Sequence, residues 1–267
     1  MLRLAMIGLG AIGSSVLEAL RDGTLTGIDC PVILVKNPRP FKTDDTLPVF
    51  THDPELFFRF QVDAVLEVAG HAAVQAYGQR VLENGADLLV TSVGAFTDED
   101  LLKRCIATAK AQRCRLILPS AGIGALDILA AGAIGGLETV ILTVRKDPSA
   151  WRGTLADQQH DLGNLREAVT LYEGPVRGGA AAYPQNVNIA AAVALAGLGL
   201  DDTTLRIIAD PTISNHVVEV EAHGAFGRFS FREDVVPTED NPKTGKLVGM
   251  AVIKTIRQLS SPLVVGW

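Results

Sequence analysis

The chain has 267 residues, 48% of them apolar, which is material for one large or two ordinary domains and excludes a disordered protein. Its 24 Lys and Arg stand against 30 Asp and Glu, a net charge of -6 with no basic run, which excludes a nucleic-acid or anionic-membrane footprint. Small molecules or other protein chains are the expected partners. Cys30, Cys105 and Cys114 form no CxxC pair, so neither a disulfide framework nor a metal site is expected, and a reducing cytoplasm fits. The opening MLRLAMIGLGAIG is broken by glycine too early for a signal peptide, and no apolar run reaches the roughly 18 residues of a membrane span.

Short β-rich runs at 2–8, 31–37, 62–68, 87–92 and 115–120 alternate with helical stretches such as SSVLEALRDG and HAAVQAYGQRVLENG. Such alternation is the signature of a parallel sheet wound with helices. The rhythm changes past about residue 120. There follow a strand at ETVILTVRK, a polar stretch from Asp147 to Arg166, an Ala-rich helix at VNIAAAVALAGLGL, and strands TLRIIAD, HVVEVEA and FGRFSFRE. The Ala-rich residues around 180–196 read as helix rather than linker. The expected fold is α/β: a Rossmann-type doubly wound parallel sheet over residues 1–120, and a second, α+β domain over 121–243 containing a largely antiparallel sheet. The boundary falls between Pro119 and Glu138. A last helix over about 244–260 places Leu247, Met250, Ile253, Ile256 and Leu259 at helical spacing and is expected to pack back on the first domain.

In IGLGAIGSSV, Gly8, Gly10 and Gly13 follow a predicted strand and open a predicted helix, the context that a dinucleotide fingerprint requires. The first glycine permits the turn, the second lets a pyrophosphate approach, and the third lets helix pack on strand. The anion would rest on the helix start at Ala11 and Ile12. After the second strand, where an NAD-only protein carries Asp or Glu, stand Lys36, Asn37 and Arg39. Two cations suit a 2′-phosphate as well as they suit solvated loop charges, so NAD and NADP both stand. Small residues close further strand ends at Ala69–Gly70, at Ser92 and at PSAGIG, where a flat nicotinamide could lie close.

Among the histidines, His52 and His160 lie in polar stretches without a functional signal, and His71 reads as a helix cap rather than a catalyst. His216 and His223 are an odd number of residues apart on one predicted strand, so only one of them can face an active site. From strand period alone, a single strand histidine is more often structural than catalytic. Asn186 suits the cap of the Ala-rich helix.

Four stretches, LPSAGIGALD, YPQNVNIAAAVALAGLGLD, NHVVEVEAHGAFGRFSF and DNPKTGKL, together with GLGAIG, closely resemble the L-aspartate dehydrogenase family, in order and over nearly the whole chain. Two departures stand out: Arg145, Lys146, Asp147 and Pro148 replace the family's usual RKPP, and Ser120, Ala121, Gly122 replace its Ser, Gly, Ala. The resemblance implies oxidation of L-aspartate to iminoaspartate with NAD or NADP, then release of oxaloacetate and ammonia, or the reverse amination. It implies that His216 is catalytic, that Asn186 and the Ala121/Gly122 pair touch the cofactor, and that the protein is a homodimer joined through its second domain. It also implies a place in pyridine nucleotide biosynthesis. An imidazole of pKa near roughly 6.5 suits removal of the amine proton, and Arg145, Lys146 or Lys243 would meet the substrate carboxylates. A homoserine dehydrogenase or dihydrodipicolinate reductase shares the expected architecture, and a dinucleotide sensor without turnover is the non-enzymatic alternative.

Overall fold

The computed structural model describes residues 1–37, 48–120, 122–184, 187–238 and 245–266. The chain forms two units, residues 1–121 with 248–267, and residues 122–247. Unit 1 opens with β1 (Leu2–Ile7), α1 (Ala11–Arg21), β2 (Ile28–Asp29), β3 (Val32–Leu34), β4 (Val49–Thr51), α2 (Pro54–Phe57) and β5 (Ala64–Glu67). There follow α3 (His71–Ala73), a π-helical turn at Val74–Gly78, α4 (Gln79–Glu83), β6 (Asp87–Val90), a 3-10 turn at Val93–Thr97, α5 (Glu99–Gln112) and β7 (Leu116–Ile117).

The strands of unit 1 are parallel and run β4-β3-β1-β5-β6-β7, with β2 beside β1 ahead of β3. This is the doubly wound order of the dinucleotide-binding fold, and the chain reverses direction across the sheet between β1 and β5. All four residues of β5 are buried, as expected of a parallel strand covered on both faces. The predicted strand at 31–37 shrinks to β3, while β4 is too short at three residues to show any alternation in sequence.

Unit 2 comprises α6 (Leu126–Gly135), β8 (Leu137–Lys146), a 3-10 turn at Pro148–Trp151, α7 (Leu155–Gln159), β9 (Val169–Pro175), α8 (Val176–Ala182), α9 (Val187–Ala196), β10 (Thr204–Ala209), β11 (His216–Gly224) and β12 (Gly227–Val235). Its sheet runs β12-β11-β8-β10-β9. It is antiparallel except at β8–β10, where the chain returns through α7, β9, α8 and α9 to lie parallel. The Ala-rich region is two helices rather than one. Pro184, which disfavours helical backbone at the residue before it, follows Tyr183 at φ -131.

One face of this sheet carries Val140, Leu142, Val144, Leu205, Ile207, Val218, Val220 and Ala222, each at most 3% exposed. Helices cover it closely. A Cβ on Gly179 of α8 would fall 2.6 Å from Leu205, and one on Gly197, just after α9, 3.3 Å from Val140.

The last helix, α10 (Lys246–Ser260), buries Val252 and Ile256 completely in the core of unit 1, beside Leu4, Met6, Val16 and Ile33. Met250, expected on the buried stripe, is 61% exposed. Three-residue steps turn a helix by about 300°, so a series spaced by threes drifts around the axis and cannot stay on one face.

Candidate functional site

In unit 1 the glycine loop crosses from β1 to α1. Gly8 lies at φ +104, and a Cβ there would sit 2.9 Å from both Ala69 Cβ and the Val68 carbonyl. A Cβ on Gly13 would meet Gly8 O at 2.8 Å. Around Gly10, by contrast, the space is open, so the backbone is bare on that side. Gly10 is also the N-cap of α1, and no side chain caps that end. The first intrahelical bond there runs from Ser14 N to Gly10 O, which leaves the N–H groups of Ala11, Ile12 and Gly13 ahead of the ladder. Such a helix start is suited to an anion.

A cleft of about 1460 Å³ opens beside this loop. Gly8, Gly10, Lys36, Asn37 and Ala69 line it together, with His52 and Tyr77. Lys36 and Asn37 are exposed just after β3, where the described residues carry no acidic side chain. Arg39 lies outside the described residues.

The loops after β5 and β6 are organised by Glu67, 1% exposed. Its Oε1 accepts from Ala69 N at 2.7 Å, Gly70 N at 2.8 Å and Ser92 Oγ at 2.9 Å, and its Oε2 from Ser92 N at 3.2 Å. Burial raises its carboxyl above the ordinary glutamate range, opposed by these hydrogen bonds. Ala69, Gly70 and Ser92 therefore direct their N–H groups into the protein. His71 is the first residue of α3, whose N-cap is Gly70, and no side chain caps that helix.

In unit 2 the C-terminal ends of β8 and β10 meet the start of β11. Val217 pairs with Arg145, so His216 falls level with Lys146 across the antiparallel pair. Strand alternation puts both on the helix-covered face with Val144 and Val218. Arg145 takes the opposite face, where its Nη1 is 2.8 Å from Asp210 Oδ2. Asp210 also accepts from Thr212 N at 2.9 Å and Thr212 Oγ1 at 2.6 Å. Of the basic residues weighed for the substrate carboxylates, Arg145 is thus spent on Asp210, Lys146 accompanies His216, and Lys243 lies outside the described residues.

Lys146 Nζ lies 5.3 Å from the ring centroid of the buried Trp151, which packs edge-on against Tyr183. The His216 imidazole is partly buried. Desolvation, then the Lys146 charge, lowers its pKa below the ordinary histidine value, with Asp147 pulling the other way. His223 takes the other face of β11, exposed, with Nδ1 2.9 Å from Glu138 Oε2. Gly122 is buried at the start of unit 2, ahead of Gly124, which abuts the Phe231 ring. Ala121 and Asn186 lie outside the described residues.

The description "Aspartate dehydrogenase, C-terminal" matches residues 127–259, and "Homoserine dehydrogenase, NAD binding domain" matches 8–119. An L-aspartate dehydrogenase of Ralstonia pickettii is 38% identical over 96% of this chain and 97% of its own length. The chain belongs to the L-aspartate dehydrogenase family. A relative of that name from Methanosarcina barkeri is 33% identical over the full length of both chains. The crystal structure of aspartate dehydrogenase from Thermotoga maritima shares the fold, with a TM-score of 0.76 at 24% identity over all of both chains. A homoserine dehydrogenase from Thiobacillus denitrificans is more distant, with a TM-score of 0.59 at 14% identity over 99% of this chain and 76% of its own.

The residues of unit 1 fit the dinucleotide of this family. The close-packed Gly8, the open flank of Gly10 and the uncapped start of α1 form a cradle for a pyrophosphate. Sequence reasoning missed Glu67, although an acidic residue ending the apolar run VDAVLEV was a visible signal, since carboxylates are rarely fully buried without partners. It also passed over His52, which reaches the cleft only because the short strand β4 ends beside β3.

Gly8→Ala forces a side chain onto φ +104 and against the Val68 backbone. It is expected to abolish binding of reduced dinucleotide, followed by fluorescence titration, and wild-type affinity in that variant would contradict the cradle.

Proposed function

We infer that this chain is an NAD(P)-dependent L-aspartate dehydrogenase, which oxidises L-aspartate to iminoaspartate or runs the reverse reductive amination. The observation that carries this is 38% identity to L-aspartate dehydrogenases along almost the whole of both chains, rather than over the widely shared dinucleotide fold alone. The bound dinucleotide supplies hydride acceptance from the substrate Cα. Unit 1 would hold it through Gly8, Gly10, Ala11, Ile12 and Gly13, with Lys36 and Asn37 at the adenosine ribose and Ala69, Gly70 and Ser92 toward the nicotinamide, and the family resemblance adds Ala121, Gly122 and Asn186 to the residues that touch the cofactor.

His216 moves the proton. In the oxidative direction its neutral imidazole takes a proton from the substrate ammonium, freeing the nitrogen lone pair that forms the C=N bond as hydride leaves Cα. Water then adds to the imine carbon and ammonia departs, leaving oxaloacetate. In the reverse direction the imidazolium returns the proton to nitrogen. A lowered pKa keeps the base unprotonated at neutral pH, which favours the oxidative direction, and makes the imidazolium, where it forms, the stronger acid. Lys146, held beside His216 on the same face, binds a substrate carboxylate.

An increase in reduced-cofactor absorbance with L-aspartate, and none with L-homoserine, is the expected assay result. His216→Ala is expected to lower turnover at least a hundredfold with dinucleotide affinity little changed. Turnover with L-homoserine alone would overturn the substrate assignment, and near-normal turnover of the variant would overturn the role of His216.

Because desolvation and, after it, the Lys146 charge hold the imidazole below its ordinary value, the acidic limb of the oxidative rate profile should lie below roughly pH 6.5. Lys146→Met should move that limb upward, toward the ordinary value, and raise KM for L-aspartate about tenfold, equivalent to ~1.4 kcal/mol. An unmoved limb with unchanged KM would rule out both functions of Lys146.

We also propose a homodimer joined through unit 2. Apart from Asp127 in its first turn, helix α6 carries no polar side chain, yet Ile128 and Ile134 are 54% and 90% exposed and Phe226, 44% exposed, packs at Gly132. An apolar surface of that kind favours association. Light scattering should return twice the 28.3 kDa chain mass, and Ile134→Glu should shift it to one chain. A wild-type monomer at micromolar concentration would exclude the dimer. The same reading puts the enzyme in the cytoplasm, where its unpaired Cys30, Cys105 and Cys114 suit a reducing medium, and directs its iminoaspartate to pyridine nucleotide biosynthesis.

A further inference from the structure

A fully buried carboxylate at the end of a central parallel strand, on the side where ligands bind, asks for an explanation that the reaction does not supply. Among the described residues, Glu67 meets no cation in its network. Its hydrogen bonds come from the backbone N–H groups of Ala69, Gly70 and Ser92 and from the Ser92 hydroxyl. Its own carbonyl accepts from Thr91 N at 3.2 Å and Thr91 Oγ1 at 3.0 Å, so both ends of the residue tie β5 to the segment after β6. Gly70 is held at φ +114 and ψ 169, a conformation open to glycine almost alone, directly under one of these bonds. The loop so fixed is the one that Gly8 touches, since a Cβ there would meet Val68 and Ala69 at 2.9 Å.

We propose that Glu67 is a positioning residue for the nicotinamide half of the dinucleotide, setting both the place and the hydrogen-bonding sense of the loops after β5 and β6. With three N–H groups and the Ser92 hydroxyl proton directed into the carboxylate, these atoms offer a ligand no donor. What these three residues keep is acceptors: their carbonyls, of which Gly70 O and Ser92 O already take Ala73 N and Ala95 N, and a further lone pair of Ser92 Oγ. The groups of a dinucleotide that can answer acceptors are the carboxamide NH2 and the ribose hydroxyls. In the doubly wound fold the half built on β5, β6 and β7 serves the second mononucleotide, while β1, β3 and β4 serve the adenosine half. The inference rests on the dinucleotide reading of unit 1.

Glu67→Gln keeps the size of the side chain but sets an NH2 group against one or more of the same donors, so the loops must turn. Fluorescence titration should show at least a tenfold rise in the Kd for NADH or NADPH, whereas the Kd for 5′-AMP, measured by calorimetry, stays within about twofold. Ser92→Ala, which removes only the hydroxyl bond, should weaken the dinucleotide in the same direction by a smaller factor, about threefold, and decides the matter if the glutamine variant does not fold. Equal losses for AMP and the dinucleotide would mean general damage to unit 1 and overturn the positioning role. Unchanged dinucleotide binding in either soluble variant would overturn it as well. A wild-type chain that binds neither reduced dinucleotide fails the cofactor reading itself, and this inference with it.

Discussion

The constraint on which the site in unit 1 depends is the approach of one backbone to another at Gly8. The turn after β1 comes up against Val68 and Ala69 so tightly that any side chain would intrude on a carbonyl and a methyl group. That approach needs a left-handed residue without a Cβ on one side and a rigid loop on the other. Glu67 supplies the rigidity by gathering N–H groups that would otherwise be free to reorient. The start of α1 and the cleft beside it follow from this contact, because the turn aims the first N–H groups of the helix.

In unit 2 the governing rule is the two-residue period of a strand. Arg145 and Lys146 are neighbours in sequence and opposites in space, one paired with Asp210 and the other level with His216 on the covered face. The same period separates His216 from His223, which is exposed beside Glu138. A strand end is a suitable place for a proton carrier. Backbone pairing fixes the position of the imidazole, while partial burial and the nearby ammonium tune its pKa downward.

Most of the framework was legible in the chain itself. The alternation of apolar runs with helical stretches declared a wound parallel sheet, and GLGAIG in its strand-to-helix setting declared the cradle. The less regular parts were not. Strands β2 and β4 are too short to carry a period, and the helix expected through the Ala-rich region is divided at Pro184. The series from Leu247 to Leu259 identified α10, but its spacing by threes misassigned Met250, which faces outward while Val252 is buried.

The sequence by itself determined the wound parallel sheet, a second and largely antiparallel one, the glycine turn and the opposition of the two histidines, because each depends on local stereochemistry or on a short period along the chain. Only the tertiary structure decided that His52 reaches the cleft, that Arg145 is engaged by Asp210 and that Glu67 gathers the loops after β5 and β6. Those partners are 25 residues apart for Glu67 and Ser92 and 65 for Arg145 and Asp210, and what joins them is sheet order and register, which no local pattern encodes.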